Sequence, residues 1–283
     1  MPDKVLIAGC GDVGNALATR LLAEGCEVWG VRRRIEALAT GVQPWHIDLT
    51  DANSFGVPPA TFDYLFYTAS ADRRDEAHYR AVYVHGLRDL LQRLRDEGCV
   101  LRRIFFTSST AVYGQSEGQW VDEHSATEPL QFNGRVLLDA EAIVRDAPET
   151  GINVRLSGIY GPGRARLVRK VWNGETKATA SWTNRIHVQD CAGALHHLMR
   201  LEDPDTLYLG SDDEPVTTED VVTWLSAELG VVAPPAAVAG SANKRCRNAR
   251  LRGTGYRFEY PTFREGYRPI VRAFLRHSRK IDP

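Results

Sequence analysis

The chain has 283 residues, 43% of them hydrophobic and 25% charged, with 35 Lys and Arg against 36 Asp and Glu and a formal net charge of −1. That length supports one large domain, or a domain with a smaller partner, around a substantial core, and no apolar run reaches the ~20 residues of a membrane span. Cys10, Cys26, Cys99, Cys191 and Cys246 are scattered with no CxxC spacing, which argues against a disulfide framework or a zinc site; with no secretory signal visible, a cytoplasmic protein without bound metal or membrane partner is expected.

Val5 to Ala8 reads as a short apolar strand. Gly9, Cys10, Gly11, Asp12, Val13 and Gly14 then spell GxGxxG, and a helical stripe of Leu17, Leu21 and Leu22 follows, stopped by Gly25 before a second strand, Glu27 to Val31. Strand, glycine turn and helix in this order are what a dinucleotide pyrophosphate requires. Gly9 permits the tight turn, Gly11 leaves room at the phosphates, and Gly14 lets the helix lie close to the strand. The helix N-terminus supplies amides and partial positive charge, so Gly9, Gly11, Asp12, Val13 and Gly14 are the expected cofactor contacts. The competing reading is a purely structural turn.

The second strand ends in Val31, Arg32, Arg33 and Arg34, where a carboxylate would ordinarily hold the adenosine ribose of NAD. Guanidinium groups suit a 2′-phosphate. Arg32 and Arg33 therefore favour NADP over NAD, the other reading being solvated arginines at the start of a helix.

Apolar runs keep alternating with helical stretches: Trp45 to Asp48, Tyr64 to Thr68, a helix from about Glu76 to Glu97, Ile104 to Thr107, helix again over Asp139 to Val144, and Asn153 to Leu156. The alternation predicts an α/β fold, a Rossmann doubly wound parallel sheet with helices on both faces. Beyond Gly158 the rhythm loosens. Gly158 to Arg164 reads as a loop, Thr217 to Leu229 as an amphipathic helix with Thr217 or Thr218 as cap, and Val231 to Gly240 as a linker. From Pro234 onward there are 12 Lys or Arg against 3 Asp or Glu, densest at Lys244, Arg245, Arg247, Arg250 and Arg252. Such a run can receive a phosphorylated or nucleotide-linked substrate, or simply solvate the fold and pair with acidic surface. Without a helix-turn-helix, finger or aromatic-bearing strand motif, nucleic acid is not the expected partner.

Ligands of open α/β sheets sit at the carboxyl ends of strands, and SSTAVYG at 108–114 lies there. It resembles the SSxxVYG segment of the extended short-chain dehydrogenases/reductases, the superfamily of nucleotide-sugar epimerases and dehydratases. GRVLLDAE at 134–141, RLSGIYGPGR at 155–164 and NRIHVQDCAGAL at 184–195 match in the expected order, as does Asp48 after the third strand. The resemblance implies a dinucleotide-binding Rossmann domain over 1–156 and a smaller C-terminal, mainly substrate-binding region over 157–283, with about 184–205 returning to the Rossmann domain. It also implies a cofactor contact at Asp48, a small-molecule substrate such as a nucleotide-linked sugar, pairing of two copies, and Ser109 as the catalytic donor to the reacting oxygen.

The resemblance breaks at one point. Aligned with the family's YxxxK, this chain has Asn133 in the place of the Tyr and Leu137 in the place of the Lys. The Tyr's acid/base role is usually worth about 10²–10⁴ in rate, and Leu137 can neither carry charge nor donate a hydrogen bond. These departures resemble the atypical members, typed as NAD-dependent epimerases/dehydratases with an altered active site. Two functions follow: hydride transfer between a nicotinamide and a carbinol or carbonyl carbon, or a catalytically silent NADP sensor or scaffold. Tyr113 is expected to pack or line a pocket, Glu123 and His124 to lie in an exposed loop, and His187 to be structural.

Overall fold

The computed structural model describes residues 1–238 and 241–278; the end of the 231–240 linker and the last basic residues, Arg279 and Lys280, lie outside them. The chain divides into two compact units, each assembled from three separate segments: 1–114, 127–156 and 192–208 form the first, and 115–126, 157–191 and 209–283 the second.

The first unit is organised on a seven-stranded sheet. From one edge to the other it runs Leu207–Gly210, Thr150–Leu156, Arg103–Ser109, Tyr64–Tyr67, Lys4–Ala8, Glu27–Val31 and Gln43–Trp45. The registers are parallel, Val5 lying beside both Val28 and Tyr64, and the strand order reverses between Lys4–Ala8 and Tyr64–Tyr67. In a doubly wound sheet this reversal opens a crevice at the strands' carboxyl ends. Strands covered by helices on both faces are apolar throughout, which is why Val5, Leu6, Ile7, Leu65 and Phe66 are fully buried. Phe66 and Phe105 stack at 4.4 Å between ring centroids across adjacent strands.

The helix expected over 76–97 is interrupted. It runs as Glu76–Arg80, a π-helical turn at Ala81–His85, then Gly86–Asp96. The fully buried Tyr67 hydroxyl donates to the Val82 carbonyl at 2.5 Å, supplying that carbonyl with a partner where the helical ladder widens.

In the second unit, Gly158–Tyr160 is a strand rather than the expected loop, paired in parallel with Arg185–His187; the turn begins only at Gly161. Ala236–Ala237, within the expected linker, pairs with Ala178–Thr179, and part of the basic run, Asn243–Cys246, is a strand beside Glu117–Val121. The core gathers Tyr160, Val168, Val222, Leu225, Phe263 and Tyr267. The helix Thr218–Leu229 is opened by a capping box, Thr217 accepting from the Asp220 amide while the Asp220 carboxylate receives the Thr217 amide. No helix among the described residues is long and apolar enough to cross a membrane.

Candidate functional site

Where the first strand ends, Gly9 and Cys10 both donate their amides to the Val31 carbonyl, at 3.1 and 3.2 Å, and the Gly11 amide turns back to Gly9 O at 2.8 Å. Gly9 has φ +103°, and a Cβ there would lie 2.3 Å from the Ala69 nitrogen. A side chain on Gly14 would fall 2.7 Å from Gly9 O, so helix and strand close together only without one. Around Gly11, by contrast, the space is open. The helix Asp12–Ala23 starts at Gly11 with no side-chain cap, leaving its positive end available to an anion.

The turn forms one wall of a cleft of about 260 Å³ at the crevice, lined also by Arg32, Arg33, Arg34, Asp48 and Ser70. Of the expected cofactor residues, Gly9, Gly11, Arg32, Arg33 and Asp48 meet here, while Asp12, Val13 and Gly14 form the adjoining first helical turn. A backbone cradle that tolerates no Cβ at Gly9 or Gly14, an uncapped helix and guanidinium groups fit the phosphates of a dinucleotide. Burial opposes ionisation of Asp48, but the Thr50 amide and hydroxyl at 2.9 and 2.7 Å, with Arg33 and His78 nearby, hold its carboxyl below the usual range.

The arginines are not equivalent. Arg32 Nη1 donates to the carbonyls of Cys10 at 2.6 Å and Ala37 at 2.9 Å, bracing the turn. Arg33 Nη2 instead donates to Asp72 Oδ2 at 2.6 Å, and the other oxygen of Asp72 lies 2.8 Å from His78 Nε2. Asp72 and His78 line the cleft and were missed in the sequence; the available signal was their position just beyond the fourth strand, at the sheet's switch point.

The strand Arg103–Ser109 carries the SSTAVYG segment outward. Ser109 Oγ accepts the Ala111 amide at 3.2 Å, which fixes the hydroxyl at the strand's end. Ser108 points the other way and donates to Glu141 Oε1 at 2.6 Å. Glu141 in turn takes two hydrogen bonds from Arg155, whose Nη1 reaches the Tyr113 hydroxyl at 3.0 Å with its guanidinium over the Tyr113 ring. Three of the segments singled out in the sequence are thus locked together through one buried pair. On the helix Phe132–Arg145, Asn133 is half-buried and Leu137 buried.

In the second unit Glu123 is buried rather than solvated: its Oε1 accepts the Leu209 amide at 2.7 Å, and burial raises its pKa. His124 Nε2 lies 2.8 Å from Arg250 Nη2. His187 packs against Tyr260 with ring centroids 3.7 Å apart, and burial lowers its pKa to about 4. Asp190 caps a loop, accepting the Tyr256 hydroxyl at 2.9 Å and the amides of Glu259 and Tyr260 at 2.8 and 3.0 Å. In the basic run, Arg245 lies between Trp120 and Trp182, 4.8 Å from each ring, and Arg252 pairs with Asp213.

The sequence profile of the NAD-dependent epimerase/dehydratase family matches residues 5–210, from the first strand through the edge strand of the sheet. The chain belongs to the NAD-dependent epimerase/dehydratase family. It is 31% identical to the protein YeeZ of Escherichia coli K12 over 216 residues, 70% of this chain and 73% of that protein. A solved structure from Methylobacillus flagellatus, provisionally assigned to the same family, is 37% identical and superposes with a TM-score of 0.84 over 98% of this chain and all of that one. The fold extends to more distant enzymes: UDP-glucose 4-epimerase of Thermus thermophilus, solved with NAD, has a TM-score of 0.78 at 21% identity, covering 96% of this chain and 99% of that one.

Proposed function

We propose that this family member binds NADP in the cleft beside the Gly9–Gly14 turn and acts as an oxidoreductase or epimerase on a small carbinol or carbonyl substrate, a nucleotide-linked sugar being the favoured class. Residues 1–156, less the 115–126 segment that belongs to the second unit, then form the cofactor domain, and 157–283 mainly the substrate region, with 192–208 returning to the first. The observation that carries the reading is the cradle itself, in which neither Gly9 nor Gly14 can bear a side chain and the helix behind it is uncapped. Gly9, Gly11, Asp12, Val13 and Gly14 hold the pyrophosphate, Arg32 and Arg33 serve the 2′-phosphate end, and Asp48 contacts the adenosine half. The UDP-glucose 4-epimerase of T. thermophilus, bound to NAD on the same fold, is consistent with a nicotinamide dinucleotide here, the NADP form resting on Arg32 and Arg33 alone.

A bound nicotinamide supplies a hydride acceptor or donor. The chain's own residues must hold the substrate oxygen and manage its proton. Ser109 Oγ already accepts the Ala111 N–H, so its O–H proton is the group it can offer to a reacting oxygen. Asn133 can orient that oxygen but cannot exchange a proton near neutral pH, and Leu137 does neither. The burial of an apolar Leu137 where the family's charged partner belongs favours one second reading, an NADP-binding sensor or scaffold without turnover.

The two readings separate in one series. The purified protein is titrated with NADPH and NADH, and nicotinamide absorbance, together with chromatographic detection of isomerised product, is then followed with nucleotide sugars and simple carbonyl compounds. Turnover abolished in Ser109→Ala supports the enzyme; tight binding without turnover across the panel supports the sensor; tighter binding of NADH overturns the NADP assignment.

A further inference from the structure

The second strand carries no acid at the position that ordinarily meets the adenosine ribose, yet the cleft does not lack one. Asp72, on the segment after the strand Tyr64–Tyr67 and 39 residues from Arg33 in sequence, stands among the cleft-lining groups and also borders an adjoining hollow with Thr50, Asp75 and Ala77. Both of its oxygens are engaged. Oδ2 takes Arg33 Nη2 at 2.6 Å and Oδ1 faces His78 Nε2 at 2.8 Å. His78 is only 9% exposed and is itself fixed, its amide bonded to Asp75 and its Nδ1 3.1 Å from Arg73. A buried ring therefore lies against Asp72 on one side, and Arg33 bonds it from the other. Arg34 lines the same cleft.

Resting on the NADP reading above, we propose that Asp72 sets the choice between the two dinucleotides, contending with a 2′-phosphate for Arg33 and accepting the 2′-hydroxyl of NAD. A phosphate carries close to two negative charges at neutral pH. Placed beside Arg33, it must draw the guanidinium away from Asp72 and bear the repulsion of that carboxylate. A ribose hydroxyl is a donor and gains from the same carboxylate. Arg33, with its forked donors, can exchange one anion for the other without leaving the cleft. Arg34 adds a further cation at the same wall, beside Arg32. The Arg33 pairing holds the Asp72 carboxyl below its ordinary range, so the acceptor is ionised throughout the neutral range.

The test is a pair of opposite shifts in binding, read without turnover. Dissociation constants for NADPH and NADH are measured by calorimetry on the full chain, on Asp72→Asn and on Arg33→Gln, with 2′,5′-ADP and 5′-AMP as fragments that lack the nicotinamide. Asp72→Asn is expected to tighten NADPH and weaken NADH, moving their ratio by about fivefold, the scale of one exposed ion pair. Arg33→Gln is expected to move the ratio the other way, and the fragments to follow the same pattern. Both side chains are more than half exposed, so both variants should fold, which unchanged thermal denaturation would verify. If the native protein binds NADPH but Asp72→Asn shifts both ligands equally, or favours NADH, the assignment of Asp72 fails alone. If the native protein binds neither dinucleotide nor fragment, the cofactor reading fails and Asp72 with it.

Discussion

Glu141 and Arg155 meet as a two-pronged buried pair, Nε to Oε1 at 2.9 Å and Nη2 to Oε2 at 2.7 Å, with side chains 6% and 7% exposed. Removing one partner from such a pair leaves an uncompensated charge in the interior. Glu141→Ala is expected to cost about 3–5 kcal/mol, read as a lower urea midpoint at unchanged m-value. The double variant Glu141→Leu with Arg155→Met should recover much of that loss. Equal losses in the single and double variants would mean that the charge is not what the fold depends on here.

Gly14→Ala adds a methyl group that meets Gly9 O at 2.7 Å and Thr68 Oγ1 at 3.0 Å. Overpacking of this kind costs about 1–3 kcal/mol, and relief by pushing the helix from the strand also spoils the phosphate cradle. A drop in thermal midpoint and a weaker NADPH Kd should therefore appear together. Unchanged values of both would show the approach to be looser than described.

His187 makes stability depend on pH in a definite direction. Burial lowers its pKa from 6.5 to about 4, so between these values the unfolded chain binds the proton and the folded chain does not. Its contribution is complete above pH 6.5 and is lost as pH falls toward 4. Asp190 and Asp212, whose carboxyls burial raises, act oppositely, gaining stability on protonation. The test is the difference between native and His187→Gln denaturation curves across this range: the native protein should lose more on acidification, and parallel curves would refute the assignment.

Tyr67→Phe removes the hydroxyl that donates to the Val82 carbonyl at 2.5 Å. Losing a buried hydrogen bond of this kind costs about 0.5–1.5 kcal/mol, and the π-helical turn at Ala81–His85 loses one of its fixed points. Hydrogen exchange should accelerate over residues 81–86 more than over Leu90 to Leu94. Uniform acceleration would indicate a global effect only.

What was readable in the sequence was whatever local chemistry dictates. The limits of Glu27–Val31, the stop at Gly25 and the Thr217 cap follow from apolar spacing and from short-range hydrogen bonding. What escaped depends on partners distant in sequence. Gly158–Tyr160 looks like a loop because glycine and proline follow it at once, but Arg185–His187 supplies its ladder. Glu123 looks solvated until Leu209 supplies the amide it accepts. Arg33 reads as an unengaged cation, and only the folded sheet brings Asp72 to it.

The three-segment construction of the first unit sets a timetable for its assembly. Its sheet gains the edge strand that starts at Leu207 only after most of the chain has been made, with Asn153 N–H joined to Thr206 O at 2.8 Å. A nascent chain that stops near residue 156 exposes the flank of Thr150–Leu156, whose last six residues are all buried in the finished protein. Such an apolar border recruits other chains. At 5–20 residues per second the stretch from Leu156 to Gly210 takes about 3–11 s to make, and for that interval the flank of Thr150–Leu156 stays unsealed.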